Sequence, residues 1–372
     1  MKKARVIAQY LPQYHPIPEN DIYWGKGFTE WTNVAKAKPL FRGHYQPKLP
    51  ADLGFYDLRL SDVREAQAEL ARSVGIEGFM YWHYWLGNNR MLLEKPFQMV
   101  LKSGNPDFPF CLGWANHSWS TKTWEKGKKF AQDEIIMEQL YPGENDYINH
   151  FTYVLPAFKD KRYIKVDGKA LFLVWDTSVP ELRSFIEVWR KLAKANGLEG
   201  IHFVGTRRRQ PAFTKTPTKE EVLSLGFDSV NSGLINMWSA EGATMSSKYL
   251  KMARSYLSRK VASVFLQKYD YKDIIKNLCN EDDYKENVYP TILPGYDRTA
   301  RSGRKATIYH NNTPELFGKH VDDVMEHVKN KLPEHKIVFL KSWNEWGEGN
   351  YIEPDLKYGH QFLDELKKRL ID

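Results

Sequence analysis

The chain has 372 residues, 42% hydrophobic and 27% charged, with 24 glycines and two cysteines, which excludes a disordered, collagen-like or disulfide-framework protein. Its net charge of +8 comes from 54 basic residues mixed among 46 acids with no long basic arm, which argues against a nucleic-acid partner. The unusual figure is the 14% aromatic content, with 12 Trp and 21 Tyr, because flat rings with polar edges suit a sugar-binding wall as well as a core.

In chain order, short apolar runs ending in polar or aromatic residues alternate with helix-like stretches. The runs are Ala4–Tyr10, Gly78–Trp82, Phe108–Trp114, Ala170–Trp175, His202–Thr206, Phe227–Asn231, Val288–Leu293 and Ile337–Trp343. They are rich in β-branched and aromatic residues and bounded by Gly, Pro or Asp, as buried parallel strands are. Between them, Leu60–Val74, with Val63, Ala66, Leu70 and Val74 on one face, Phe185–Ala195 and Val321–Leu332 carry helical periodicity. Eight strands alternating with helices predict an α/β fold, a single (β/α)8 TIM-type barrel over residues 1–372 with long loops at its C-terminal face. The alternative, a doubly wound open sheet, lacks a Gly-x-Gly-x-x-Gly after the first strand. Segments 116–167 and 232–287 are expected as embellishments of the barrel.

No stretch reaches the ~18 apolar residues of a membrane helix. Met1-Lys2-Lys3-Ala4-Arg5-Val6-Ile7-Ala8 has too short an apolar run for a signal peptide, so the chain reads as cytoplasmic. Cys111 and Cys279, like His15, His44 and His83, lack metal-type spacing, and neither a metal nor a cofactor is expected.

The active site of a barrel lies at the C-terminal strand ends. Here these carry Gln9-Tyr10, Trp82-His83-Tyr84-Trp85, Gly113-Trp114-Ala115-Asn116, Trp175-Asp176, Asn231-Ser232, Tyr296-Asp297-Arg298 and Trp343-Asn344-Glu345-Trp346. Rings, amides and carboxylates at most ends describe a flat-walled polar cleft suited to sugar, although about half of such rings are expected to serve packing. Glu345 and Glu348, three apart in a Gly-punctuated loop between tryptophans, are the candidate catalytic pair. Glycosidic bond cleavage takes two carboxyl groups whose environments split their pKa values. Two solvated loop acids are the plainer reading. The candidate substrate-binding residues are Tyr10, Trp82, His83, Tyr84, Trp114, Asn116, Trp119, Asp297, Arg301, Trp343, Asn344 and Trp346. Arg207, Arg208 and Arg209, after the fifth strand, suggest that the saccharide carries an anionic substituent; a solvated loop cluster is the simpler alternative.

The run Trp343-Asn344-Glu345-Trp346-Gly347-Glu348-Gly349-Asn350-Tyr351-Ile352-Glu353-Pro354-Asp355 resembles the signature of the WbsX-like proteins of bacterial surface-polysaccharide loci. These are similar to glycoside hydrolase family 99, endo-acting α-mannosidases on a (β/α)8 barrel. Gln9-Tyr10-Leu11-Pro12-Gln13-Tyr14-His15, Gly27-Phe28-Thr29-Glu30-Trp31, Gly43-His44-Tyr45-Gln46-Pro47, Leu53-Gly54-Phe55-Tyr56-Asp57 and Pro294-Gly295-Tyr296-Asp297 match in order. The resemblance implies a retaining, endo-acting enzyme. In it Glu345 deprotonates the sugar 2-hydroxyl, which attacks C1 to give a 1,2-anhydro intermediate, while Glu348 protonates the leaving oxygen and then activates the acceptor. Two departures bear on the substrate. Ala115-Asn116-His117-Ser118-Trp119 stands where the family often has Ala-Asn-Glu-Asn-Trp, and Asp297-Arg298-Thr299-Ala300-Arg301 stands where it has Asp-Asn-Thr-x-Arg. The competing functions are a glycosyltransferase of surface-polysaccharide assembly, although the chain holds no Asp-x-Asp, and a catalytically inactive carbohydrate-binding barrel.

Overall fold

The eight apolar runs become the staves of one parallel barrel. The computed structural model describes residues 3–120, 135–208, 216–244, 253 and 266–371. Its main sheet contains β1 (Arg5–Tyr10), β2 (Gly78–Trp85), β3 (Phe110–Trp114), β4 (Lys169–Val174), β5 (Ile201–Thr206) and β6 (Ser229–Asn231). The seventh stave is split into β7 (Val288–Tyr289) and β8 (Thr291–Ile292), and β9 (Ile337–Leu340) completes the set. Neighbours run β7-β6-β5-β4-β3-β2-β1-β9-β8, all parallel. Pro290 sits between the two terminal strands of that path, so the ring is nearly closed. Proline has no N–H to give a ladder, which breaks the stave there; its carbonyl still accepts from Phe339 N at 3.0 Å.

The barrel helices are α1 (Ser61–Ser73), α2 (Lys95–Ser103), α3 (Glu144–Phe158), α4 (Leu182–Ala195), α5 (Lys219–Ser224), α6 (Gly233–Ala243), α7 (Pro314–Val328) and α8 (Gln361–Leu370). On α4 the buried residues are Leu182, Phe185, Ile186, Trp189 and Ala193, the spacing of one helical stripe. Of the expected face of α1, Val74 is buried just past the helix and Val63, Ala66 and Leu70 are half-buried, while the buried positions within the helix are Arg64, Gln67, Ala68 and Ala71, about one residue on. The polar pair faces inward because each finds a partner: Arg64 donates to the Leu58 carbonyl at 2.6 Å, and Gln67 joins a network beneath the site. Helix α7 begins seven residues before the expected start, where Thr313 caps it and Pro314 occupies its first turn.

Segments 116–167 and 232–287 are more than embellishments, since they contain the barrel helices α3 and α6. The added structure they bring is a pairing of Trp119–Ser120 with Ile135–Met137 and a strand, Gln267–Asp270. That strand pairs with Thr307–His310, which pairs antiparallel with Tyr296–Asp297. This small sheet delivers Asp297, Arg298 and the short helix Thr299–Ser302 to the barrel mouth. Among the described residues no helix is long and apolar enough to cross a membrane.

Candidate active site

A cleft of ≈ 390 Å³ opens at the C-terminal ends of the strands. Leu11 and Gln13 enter after β1, Trp82 and Tyr84 from β2, and Ala115, His117, Ser118 and Trp119 from the segment after β3. Trp175 follows β4 directly, Lys341 follows β9, and Arg301, Glu345 and Glu348 complete the lining. Two edge-on aromatic pairs shape the wall, Trp82–Trp175 at 5.2 Å and Tyr84–Trp119 at 5.3 Å between ring centroids. Gly113 on β3 makes room for this wall. A methyl group there would come within 2.8 Å of the Met80 side chain and 3.3 Å of the Trp82 ring. A wider opening around Lys3, Arg5, Glu77 and Lys336 lies at the opposite, N-terminal end of the strands, the end that serves stability in barrels.

Arg301 organises the floor. Its guanidinium is 9% exposed and grips Glu30 with two hydrogen bonds, of 3.0 and 2.8 Å. The same group donates to Glu348 Oε1 at 2.9 Å and to Glu345 Oε1. Burial pulls this guanidinium toward neutrality, but Glu30, Glu345 and Glu348 together hold it charged, with a pKa well above the ordinary value. The loop can pack this way because residue 347 is glycine. Any side chain at Gly347 overlaps the Glu30 carboxylate and approaches Arg301 Nε to 2.9 Å. Gly347→Ala is therefore expected to lower stability by about 1–3 kcal/mol, the usual cost of overpacking, readable as a fall in urea midpoint.

The two loop glutamates sit in unlike fields. Burial pushes the Glu345 carboxyl up, the negative charges of Glu348 and Glu30 add to this, and Arg301 and Lys341 offset only part of it, leaving a pKa of about 7. Burial also pushes Glu348 up, but Arg298, Arg301 and Lys341 outweigh it and bring the carboxyl down to about 2. Arg298 Nε lies 3.3 Å from Glu348 Oε1 and Lys341 Nζ lies 3.9 Å from Oε2. Burial and charge thus pull the two carboxyls apart, Glu345 up and Glu348 down, so that they titrate as an interacting pair.

Of the predicted residues, Trp82, Tyr84, Trp119, Arg301, Glu345 and Glu348 line the cleft; the others support it. Successive side chains of a strand point to opposite faces. Thus Trp82 and Tyr84 face the cleft, while His83 turns to α3, 2.8 Å from His150 Nε2, with burial pushing its pKa down to about 3. Trp114 packs on Phe185 and His150, and Tyr10 donates to Gln67 at 2.6 Å. Asn116 spends its amide on Asp176, accepting from its N–H at 2.7 Å and donating to its carbonyl at 2.9 Å. Asn344 likewise clips the Leu11 backbone on both sides. Asp297 bonds to His44 and Gln46 at 2.8 Å each; burial pushes its carboxyl up, but His44, the Lys48 charge and Thr299 outweigh this and hold it well below the ordinary range.

Trp346 stacks on Tyr351, and its indole N–H donates to Glu353 at 2.6 Å. Glu353 also accepts from Tyr56 at 2.8 Å and Gln67 at 2.6 Å. Trp343 is fully buried against Phe79. These residues stiffen the loop that carries the pair. Arg208 lies at the cleft edge, 3.5 Å from Asp176, and Arg209 is outside the described residues. His117 lines the cleft as a neutral imidazole, because burial pushes its pKa down to about 4. Sequence reasoning put Trp175 at an active-site strand end without naming it as a substrate contact, and it did not place Glu30 or Lys341 in the site. For Lys341 the usable signal was position, since it directly follows a barrel strand. Among the described residues, Cys279, Asp323 and His327 have donors close enough to share a metal ion, and none of them lines the cleft.

The model of the family "Glycosyltransferase WbsX" matches residues 6–366. The protein WxcX of Xanthomonas campestris pv. campestris (strain B100) is 32% identical over 369 residues, covering 99% of this chain and 50% of that protein. The chain spans about half the length of the curated relatives it matches. Among solved structures, a glycoside hydrolase-like protein superposes with a TM-score of 0.62 at 15% identity, covering 100% of this chain and 94% of the other. The GH99 endo-alpha-mannosidase from Bacteroides thetaiotaomicron superposes with a TM-score of 0.55 at 12% identity, over 99% of this chain and 98% of the other. At these identities the likeness establishes the shared barrel fold.

Proposed function

The chain belongs to the WbsX glycosyltransferase family, and on that premise we propose that it is a retaining, endo-acting enzyme on the glycosidic bonds of an oligo- or polysaccharide. The observation that carries this reading is the buried pair Glu345 and Glu348, tied to one guanidinium at the mouth of an aromatic cleft, with the pKa of one pushed up and of the other pushed down. Glycosidic bond cleavage asks for one carboxyl group that gives a proton and one that is charged. In the proposed route Glu345 acts as base on the 2-hydroxyl, which attacks C1 internally. A pKa of about 7 suits a base at neutral pH. Glu348 protonates the departing oxygen and then activates the acceptor. Glu345 is the more basic of the two in the free site, so the bound glycan has to loosen the hold of Arg298, Arg301 and Lys341 on Glu348 for Glu348 to act as the acid.

Either way the pair works with one proton. Above a pH of about 7 Glu345 ionises, both carboxyls are charged, and no acid remains. We therefore expect kcat/KM to fall about tenfold per pH unit above about 7, and a rate constant from pH 6 to 9 would remove the pair from the reaction.

Transfer to a sugar acceptor is the second reading, favoured by the family's description as glycosyltransferases. Incubation with bacterial surface polysaccharides, read by size-exclusion chromatography, separates the two. Chain shortening in buffer alone supports cleavage, and elongation seen only with an added nucleotide sugar replaces it with transfer.

A further inference from the structure

Among the described residues, Trp175 is the cleft ring that two cations approach. Lys341 Nζ lies 5.6 Å and Arg208 Cζ 6.0 Å from its ring centroid, and Trp82 holds it edge-on from a third direction. Lys341 is itself 8% exposed, which is expensive for a lysine unless a negative group meets it. Among the described residues it meets Glu348 at 3.9 Å, too long for a hydrogen bond. Beside it, His117 lines the same cleft, and its Nδ1 is buried with no hydrogen-bond partner among the described residues. Arg301 is shared by Glu30, Glu345 and Glu348 and Arg298 lies 3.3 Å from Glu348, whereas Lys341 meets Glu348 at 3.9 Å and Arg208 meets Asp176 at 3.5 Å. These two looser cations are the ones placed to meet an incoming anion.

We propose that Trp175, Lys341 and Arg208 form a subsite for an acidic sugar, its ring lying on Trp175 and its carboxylate or phosphate held between the two cations. This rests on the reading of the cleft as a saccharide site and adds the class of saccharide. Charge is recognised through Lys341 and Arg208 and the sugar face through Trp175, so neither a neutral glycan nor a bare anion satisfies the subsite. A uronate within the polymer and the diphosphate of a nucleotide sugar share this chemistry, and the test has to tell them apart.

The test is binding of the full chain to an array of glycans printed as matched neutral and acidic pairs, the acidic members bearing uronate, pyruvate or phosphate groups. UDP-glucose and GDP-mannose serve as soluble competitors. The expected result is that acidic members bind about tenfold or more above their neutral partners and that 1 M NaCl narrows the gap. Lys341→Met and Arg208→Met, each verified as folded by circular dichroism, should abolish the preference, and Trp175→Ala should weaken binding of both members. Competition by nucleotide sugars, but not by free uronate oligosaccharides, assigns the anion to a donor diphosphate; the converse assigns it to the polymer. Equal binding of neutral and acidic members, no binding of any acidic glycan, or a preference that survives in both cation variants overturns the proposal. Neutral glycans that bind and are cleaved would leave the enzymatic reading standing while the subsite fails. Acidic glycans bound but never turned over would do the reverse.

Discussion

Glu345→Gln and Glu348→Gln each lower kcat/KM on a cleavable glycan by about 10²–10⁴-fold, and the two losses differ in kind. Glutamine keeps the shape of the side chain and its bonding to Arg301 through the amide oxygen while proton transfer is lost, although Glu348→Gln also gives up the charge that Arg298, Arg301 and Lys341 meet. Glu348→Gln removes the group that protonates the departing oxygen. A substrate with a good leaving group, such as an aryl glycoside, regains most of the first step. Glu345→Gln removes the base that acts on the 2-hydroxyl, and no leaving group restores it. Rescue of Glu345→Gln instead would exchange the two roles, in keeping with the raised pKa of Glu345. Retained activity in both variants would remove the pair from the chemistry. The measurement is steady-state kinetics of both variants on matched aryl and natural substrates.

Arg301→Met should be the most destabilising single change at the site. It fills a similar volume but leaves Glu30, Glu345 and Glu348 without the cation they share. Stranding a buried charge by removing its partner costs about 3–5 kcal/mol, so the urea midpoint should fall sharply or the chain fail to fold. Adding Glu30→Gln, which neutralises the most deeply buried carboxylate, should recover a measurable part of that loss through coupling within one network. An unchanged midpoint for Arg301→Met would mean that these contacts contribute nothing to the native state.

The barrel was legible because each stave is a short run apolar on both faces and bounded by Gly, Pro or Asp, and all eight runs found their place in the ring. The same property hid which residues face the cleft. In Trp82-His83-Tyr84-Trp85 every side chain is bulky and aromatic, so the alternation that sends Trp82 and Tyr84 inward and His83 and Trp85 outward has no hydropathy signature. Trp343, Asn344 and Trp346 were read as sugar contacts from their nearness to the glutamates. They instead hold the loop, because a carboxylate pair with fixed geometry needs neighbours whose own hydrogen bonds are already made. The ion cluster was beyond reach, because Arg301 meets Glu30 across 271 residues and only the folded barrel brings them together.

The central claim is that two inversions at C1, carried by Glu345 and Glu348, cancel. Proton NMR of the first-formed product, recorded before mutarotation scrambles the anomers, tests it most directly. The account predicts that the new reducing end, or the new glycoside, keeps the anomeric configuration of the bond that was broken. A first product with the inverted anomer would contradict it.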